Sequence, residues 1–152
     1  MKDDAYYMAL ALEEAEAARA MDEVPIGAVV VNPSDGSIIA RRGNRTRAQN
    51  DPTAHAEILA IREACAKAGA QRIPLYDLYV TLEPCAQCAA SISFARIRRL
   101  IIGARDEKGG GVFHGGKFYE QPTCHHRPEV SDGVLAEESA AILKAFFAGK
   151  RK

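Results

Sequence analysis

Apolar positions follow two rhythms along this chain. The stretch TAHAEILAIREA, from Thr53 to Ala64, has a helical apolar period. Two polar side chains, His55 and Glu57, stand at its mouth, and their spacing does not put them on one helix face. Pro52 suits the first turn of this helix and Gly69 its C-terminal stop. Residues 5–21 contain no Gly or Pro and predict another helix. PIGAVVV is short and β-branched, as a buried strand requires. NPSDG is turn chemistry, and SIIARRGN is the returning strand of a hairpin. DLYVTL and RRLIIGA predict two more strands. Between them EPCAQCAASISFARI predicts a helix with Pro84 in its first turn. Residues 105–132, rich in Gly, Pro and His, form a long irregular excursion of the kind that often carries function. GVLAEESAAILKAFFAG closes the chain as an amphipathic helix. Helices alternating with strands predict one layered α/β domain over residues 1–152.

Composition narrows the class. Hydrophobic residues at 47% and charged residues at 26% are ordinary for a globular chain. No apolar run approaches the roughly 18 residues that cross a bilayer, and the acidic N-terminus lacks the basic flank of a signal peptide. We therefore expect a cytoplasmic protein with no membrane partner. Formal net charge is zero, so no global basic field points to nucleic acid. Its distribution is uneven: Asp3, Asp4, Glu13, Glu14, Glu16, Asp22 and Glu23 crowd the first 25 residues. Basic residues gather at Arg41, Arg42, Arg45 and Arg47, at Arg96, Arg98 and Arg99, and in a tail of Lys144, Lys150, Arg151 and Lys152. From charge alone these are a footprint for a polyanion or merely solvated faces.

The chemistry centres on EPCAQC. Cys85 and Cys88, three apart at a helix start, project their thiols from one face of its first turn. The positive end of the helix favours thiolates there. Two thiolates and a neutral imidazole make a three-ligand set that suits Zn²⁺, and a catalytic zinc site keeps its fourth position for water. With His55 as third ligand, Glu57 has no need to share its face and can shuttle protons beside the metal. Two other readings of the thiol pair stay open. One is a redox pair; the other is a structural zinc site, which would want a fourth ligand from Cys124, His125 or His126. Cys65 reads as a small buried hydrophobe, and His114 in FHGG supports no assignment.

HAE combined with PCAQC resembles the zinc-dependent cytidine deaminase-like superfamily, whose general signature is H-x-E followed by P-C-x-x-C. The resemblance is closer to one branch, the bacterial tRNA-specific adenosine deaminases. DEVPIGAVVV, GNRT, DPTAHAEILAIR, LYVTLEPCAQCAASISFARIRRLIIGARDEKGG and HHRPEVSDGVLAEESAAILKAFF all look like segments of that branch, covering most of residues 22–147. It implies a three-layer α/β/α fold with a central mixed sheet of about five strands, in a single CMP/dCMP-type zinc deaminase domain. It also implies one zinc per subunit on His55, Cys85 and Cys88, with Glu57 as general acid/base. The implied reaction is hydrolytic deamination of the wobble adenosine of a tRNA anticodon to inosine, with the anticodon stem-loop as partner and a homodimer as the assembly.

For the base, the resemblance implies contacts from Asn44, from the backbone N–H of Ala56, and from the pocket wall at Val24 and Pro25. Asp106 and Phe147 match positions that face the anticodon loop. From the residues alone, Asn44 is a turn Asn, Val24 and Pro25 start a strand, and Phe147 is a core position. DPTAHAE is also similar to bacterial guanine deaminases, so deamination of a free nucleobase or nucleoside of guanine or cytosine type is the rival. VFHGGKFYEQPTC departs from some relatives, and substrate contacts there are not carried over.

Overall fold

The computed structural model describes residues 1–150, so Arg151 and Lys152 of the basic tail lie outside the described residues. Helix α1 (Asp4–Ala20) leads into strands β1 (Gly27–Asn32) and β2 (Ser37–Gly43), then α2 (Ala56–Ala68) and β3 (Asp77–Leu82). Next come α3 (Ala86–Phe94), β4 (Arg99–Ala104), a 3₁₀ turn at Phe118–Glu120, β5 (Glu129–Ser131) and α4 (Ala136–Lys150). The strands form one sheet in the order β2-β1-β3-β4-β5. β1 runs antiparallel to both β2 and β3, whereas β3, β4 and β5 are mutually parallel, so the sheet is mixed.

The pleat sends alternate residues to opposite faces. Ala28, Val30, Leu78, Val80, Leu100 and Ile102 meet α2 and α3, through Ala56, Ala60, Ala89 and Ile92 among others. Val29, Val31, Tyr79 and Ile101 meet Tyr7, Met8 and Ala11 of α1 on the other side, where α4 lies on β4 and β3. Strands buried on both faces read as continuous apolar runs, which is why PIGAVVV and RRLIIGA show no alternation. The result is the expected three-layer α/β/α arrangement. Close approach is built in on the α1 face: a Cβ at Gly27 would fall 1.9 Å from the Ala11 carbonyl oxygen. No helix among the described residues is long and apolar enough to cross a membrane.

Three local expectations are corrected. Pro52 lies four residues before α2, which begins at Ala56. The Asp51 carboxylate accepts from Thr53 N–H (2.8 Å) and Thr53 Oγ1 (2.7 Å), and this turn holds the chain out of helix until His55. Likewise Pro84 precedes α3, whose N-cap is Cys85. The excursion of residues 105–132 contains β5, a three-residue edge strand too short to show a period.

Candidate metal and catalytic site

Two helices start side by side on one face of the sheet. His55 is the N-cap of α2, with extended backbone (φ −73°, ψ 152°), and Cys85 is the N-cap of α3 (φ −69°, ψ 175°). Neither uses its side chain as a cap, so imidazole and thiol are free to turn toward each other. Cys88 stands inside the first turn of α3 and is fully buried. The His55 Nδ1 atom lies 3.6 Å from Cys85 Sγ and 3.4 Å from Cys88 Sγ. Ligands at about 2.3 Å (sulfur) and about 2.05 Å (nitrogen) from a tetrahedral zinc stand about 3.6 Å apart. The imidazole therefore stands from each thiol at about the edge length of a zinc tetrahedron, and all three donor atoms lie within 4.8 Å of one another. No fourth Cys, His, Asp or Glu joins the cluster among the described residues, which matches a catalytic site and not a closed structural one.

The electrostatics agree. The hydrogen bond from Cys88 brings the Cys85 thiol down to about 4, and His55 adds to this while burial opposes it. Cys88, donor in that bond and deeply buried, is pushed up. The bond to Cys85 likewise raises His55, against its burial. The cluster thus carries anionic sulfur with a proton held close by, an arrangement that a divalent cation would complete.

Glu57, in the first turn of α2, is buried, and its Oε1 has no hydrogen-bond partner. Burial pushes its carboxyl up to about 7. His55 and Glu57 never compete for one helix face, because His55 is not helical and Glu57 is. Asn44, at the end of the β2 hairpin, is buried, and its Oδ1 accepts the Ala56 N–H at 2.8 Å. The Ala56 N–H, expected to meet a base, donates to Asn44 in this structure. Val24 is half-buried and Pro25 buried, between α1 and β1. Asp106, just beyond β4, is half-buried, with Oδ1 accepting from Lys108 and Gly109 N–H. Phe147 is 44% exposed against Phe146 on α4, not the core residue its pattern suggested.

Cys124 is buried beside Ser93 and outside the cluster, and its thiol donates to the His126 carbonyl. His126 Nε2 meets the Ile97 carbonyl at 2.7 Å, while His125 is exposed. This trio builds the loop and does not reach the metal cluster. Cys65 is only half-buried. Much of the basic surface is neutralised within the fold. Arg41 pairs with Glu13 and Glu14, Arg42 with Glu63, Arg47 with Asp22, Arg98 with Asp77, and Arg99 with Asp4. Arg41, Arg47 and Arg99 thus pair with the acidic N-terminus, and Arg42 and Arg98 with acids of α2 and β3.

Three buried acids escape the sequence reading: Glu23, Glu83 and Asp77, the last paired with Arg98. Glu23 accepts the N–H groups of Arg47 (3.1 Å) and Ala48 (2.7 Å), and Glu83 gathers the segment after β4. Their signal is an acid set directly against a buried strand, at EVPIG and TLEPC.

Residues 1–104 match the family model described as the cytidine and deoxycytidylate deaminase zinc-binding region. A tRNA-specific adenosine deaminase of Agrobacterium fabrum is 60% identical over 151 residues, spanning 99% of this chain and 98% of that protein. A solved structure from work on A-to-I editing by tRNA:A34 deaminases at the wobble position superposes with TM-score 0.88 at 62% identity, covering 91% of this chain and 99% of its own. A guanine deaminase of Bacillus subtilis superposes with TM-score 0.67 at 30% identity, covering 99% and 96%.

Proposed function

The chain belongs to the cytidine and deoxycytidylate deaminase zinc-binding family, and we propose that within it the enzyme converts adenosine to inosine at the wobble position of a tRNA anticodon. The observation that carries the chemistry is the His55–Cys85–Cys88 triangle with the unpartnered Glu57 oxygen beside it. A zinc ion bound there supplies the Lewis acidity that makes water nucleophilic near neutral pH. Glu57, poised by burial at about 7, takes the proton that water gives up as it attacks C6. It hands that proton to the purine ring nitrogen, then takes the second proton from the oxygen newly bonded to C6 and delivers it to the amine as the C6–N bond breaks, so adenosine and water become inosine and ammonia. We assign the Asn44 amide to hydrogen-bonding the purine, and Val24 and Pro25 to the pocket wall. Asp106 and the exposed Phe147 are the residues we assign to the RNA side.

Deamination of a free guanine-type base is the weaker reading. The guanine deaminase likeness is 30%, against 60% over essentially full length for the tRNA-specific relative. Residues 1–152 are read as one domain, supported by two core clusters that share a single sheet. A homodimer is supported by Phe94 and Leu75, large apolar residues that are 65% and 71% exposed in the single chain. A tRNA substrate and four free thiols support the cytoplasm as its compartment.

The test is product analysis. Zinc-loaded protein is mixed with an anticodon stem-loop bearing wobble adenosine and, in parallel, with free guanine, cytosine and adenosine. Digestion and mass spectrometry are expected to show wobble inosine with wild type and none with Glu57→Ala, which should still hold zinc. Turnover of a free base alone would overturn the substrate, and full activity of Glu57→Ala would overturn the mechanism.

A further inference from the structure

Glu83 directly follows β3, two residues before Cys85, and its buried side chain takes no part in the metal cluster. Instead its carboxylate gathers the segment that follows β4. Oε1 accepts the Asp106 N–H at 3.0 Å and meets His114 Nδ1 at 2.8 Å. Oε2 accepts the N–H groups of Val112 (3.2 Å), Phe113 (2.9 Å) and His114 (3.2 Å). Residues 105–114 contain no helix or strand. Their shape therefore hangs largely on one anion set in the thiol-bearing turn.

The packing is too close for side chains. A Cβ at Gly110 would fall 2.2 Å from Glu83 Oε2, and one at Gly111 would fall 2.7 Å from the Ala86 nitrogen. Gly111 N–H also donates to the Pro84 carbonyl at 2.8 Å. The segment thus lies directly on Pro84, Cys85 and Ala86. Its far end is pinned by the Arg105 guanidinium, 3.9 Å from the Phe113 ring centroid.

We propose that Glu83 is a positioning residue: its carboxylate fixes Asp106 relative to the Cys85 turn and so sets how the RNA around the reacting base is held. This rests on the tRNA reading above, which puts Asp106 on the substrate side. The two oxygens divide the work, and a Gln at position 83 separates them. Its carbonyl oxygen keeps the three amides of residues 112–114, while its NH₂ cannot accept from Asp106 N–H. His114 Nδ1 adapts by presenting its lone pair. Glu83→Gln therefore cuts the tie to Asp106 and leaves the rest.

The experiment uses the zinc-loaded full chain and its E83Q variant. It reads zinc content, amide hydrogen exchange by NMR, and kcat and KM on the wobble-adenosine stem-loop. We expect stoichiometric zinc, an Asp106 amide exchanging about 10-fold faster or more, and Val112 and Phe113 amides unchanged. KM should rise about 10-fold with kcat within about 3-fold, the split expected when binding and not chemistry is lost. Glu83→Asp keeps the charge but shortens the reach; it should raise KM likewise, and it serves if E83Q fails to fold. An unchanged Asp106 amide, or a released amide with unchanged KM, would overturn the proposal. So would a fall in kcat or zinc at constant KM, because Glu83 would then act through the cysteine turn. A wild-type chain that never edits the stem-loop sinks the substrate reading instead, while the exchange data still judge the tie.

Discussion

Asn44 Oδ1 accepts the backbone N–H of Ala56 at 2.8 Å, so the end of the hairpin is tied to the helix start that carries His55 and Glu57. That N–H is one of the first-turn donors with no partner inside its own helix. Both residues are buried, and water does not replace the bond. Asn44→Ala is expected to cost about 1–3 kcal/mol, the penalty of a buried donor left unmet. Asn44→Asp keeps the acceptor but loses the amide N–H₂ assigned to the purine. It should retain more of the stability and lose the activity. Urea midpoints beside stem-loop turnover separate the two, and equal stability loss in both variants would remove the tie.

Loading with zinc should release protons. Cys88 is pushed up by its hydrogen bond to Cys85 and by burial, and His55 is raised by its bond to Cys85, so the metal-free cluster holds protons that metal ligation must displace. Near pH 7 we expect about one proton or more per zinc, seen as a buffer-dependent enthalpy in titration calorimetry. Removing zinc should lower the melting temperature accordingly. Identical enthalpies in buffers of different ionisation heat would mean that the thiols bind already ionised.

The metal ligands are legible in the sequence because they sit at helix starts, where two short motifs fix the backbone and the turn directs both thiols. The strands are legible because burial on two faces leaves runs such as GAVVVN and RLIIGA. What escapes is set by contacts between segments distant in sequence. Pro52 fits a first helical turn locally, but the Asp51 side chain closes a competing turn. The Arg41, Arg42, Arg98 and Arg99 clusters look like a polyanion footprint until Glu13, Glu14, Glu63, Asp77 and Asp4 are brought against them. Glu83 reads as one more acid until the chain returns more than twenty residues later to place its amides there.

Gly27 is expected to tolerate no side chain. Its added Cβ would meet the Ala11 carbonyl oxygen at 1.9 Å and the Ala15 nitrogen at 2.8 Å, backbone atoms in the middle of α1. Neither can yield without lifting the helix from the sheet. Gly27→Ala should therefore cost about 3 kcal/mol, the upper end of ordinary overpacking, and lower expression. Chemical denaturation measures it, and a neutral result would show that α1 shifts freely on β1.

Acid stability should depend on Asp4. Its carboxylate lies 2.7 Å from the Tyr79 hydroxyl and pairs with Arg99 at 3.1 Å, joining the start of α1 to β3 and β4. Burial works to raise this carboxyl, but the hydrogen bonds from Arg99 and Tyr79, with the Arg99 charge, outweigh it and hold it below its ordinary value of 3.8. A carboxyl lowered in the folded state contributes stability that is present above its unfolded pKa and lost as pH falls through the folded one. Asp4→Asn removes that contribution at neutral pH and has none to lose in acid. Between about pH 6 and about pH 2.5 the wild type should therefore lose more stability than the variant, and the two curves should converge at the acid end. Denaturant unfolding across that range measures both. Curves that stay parallel would mean that Asp4 titrates alike in the folded and unfolded chains, and that its bonds to Tyr79 and Arg99 carry no net weight.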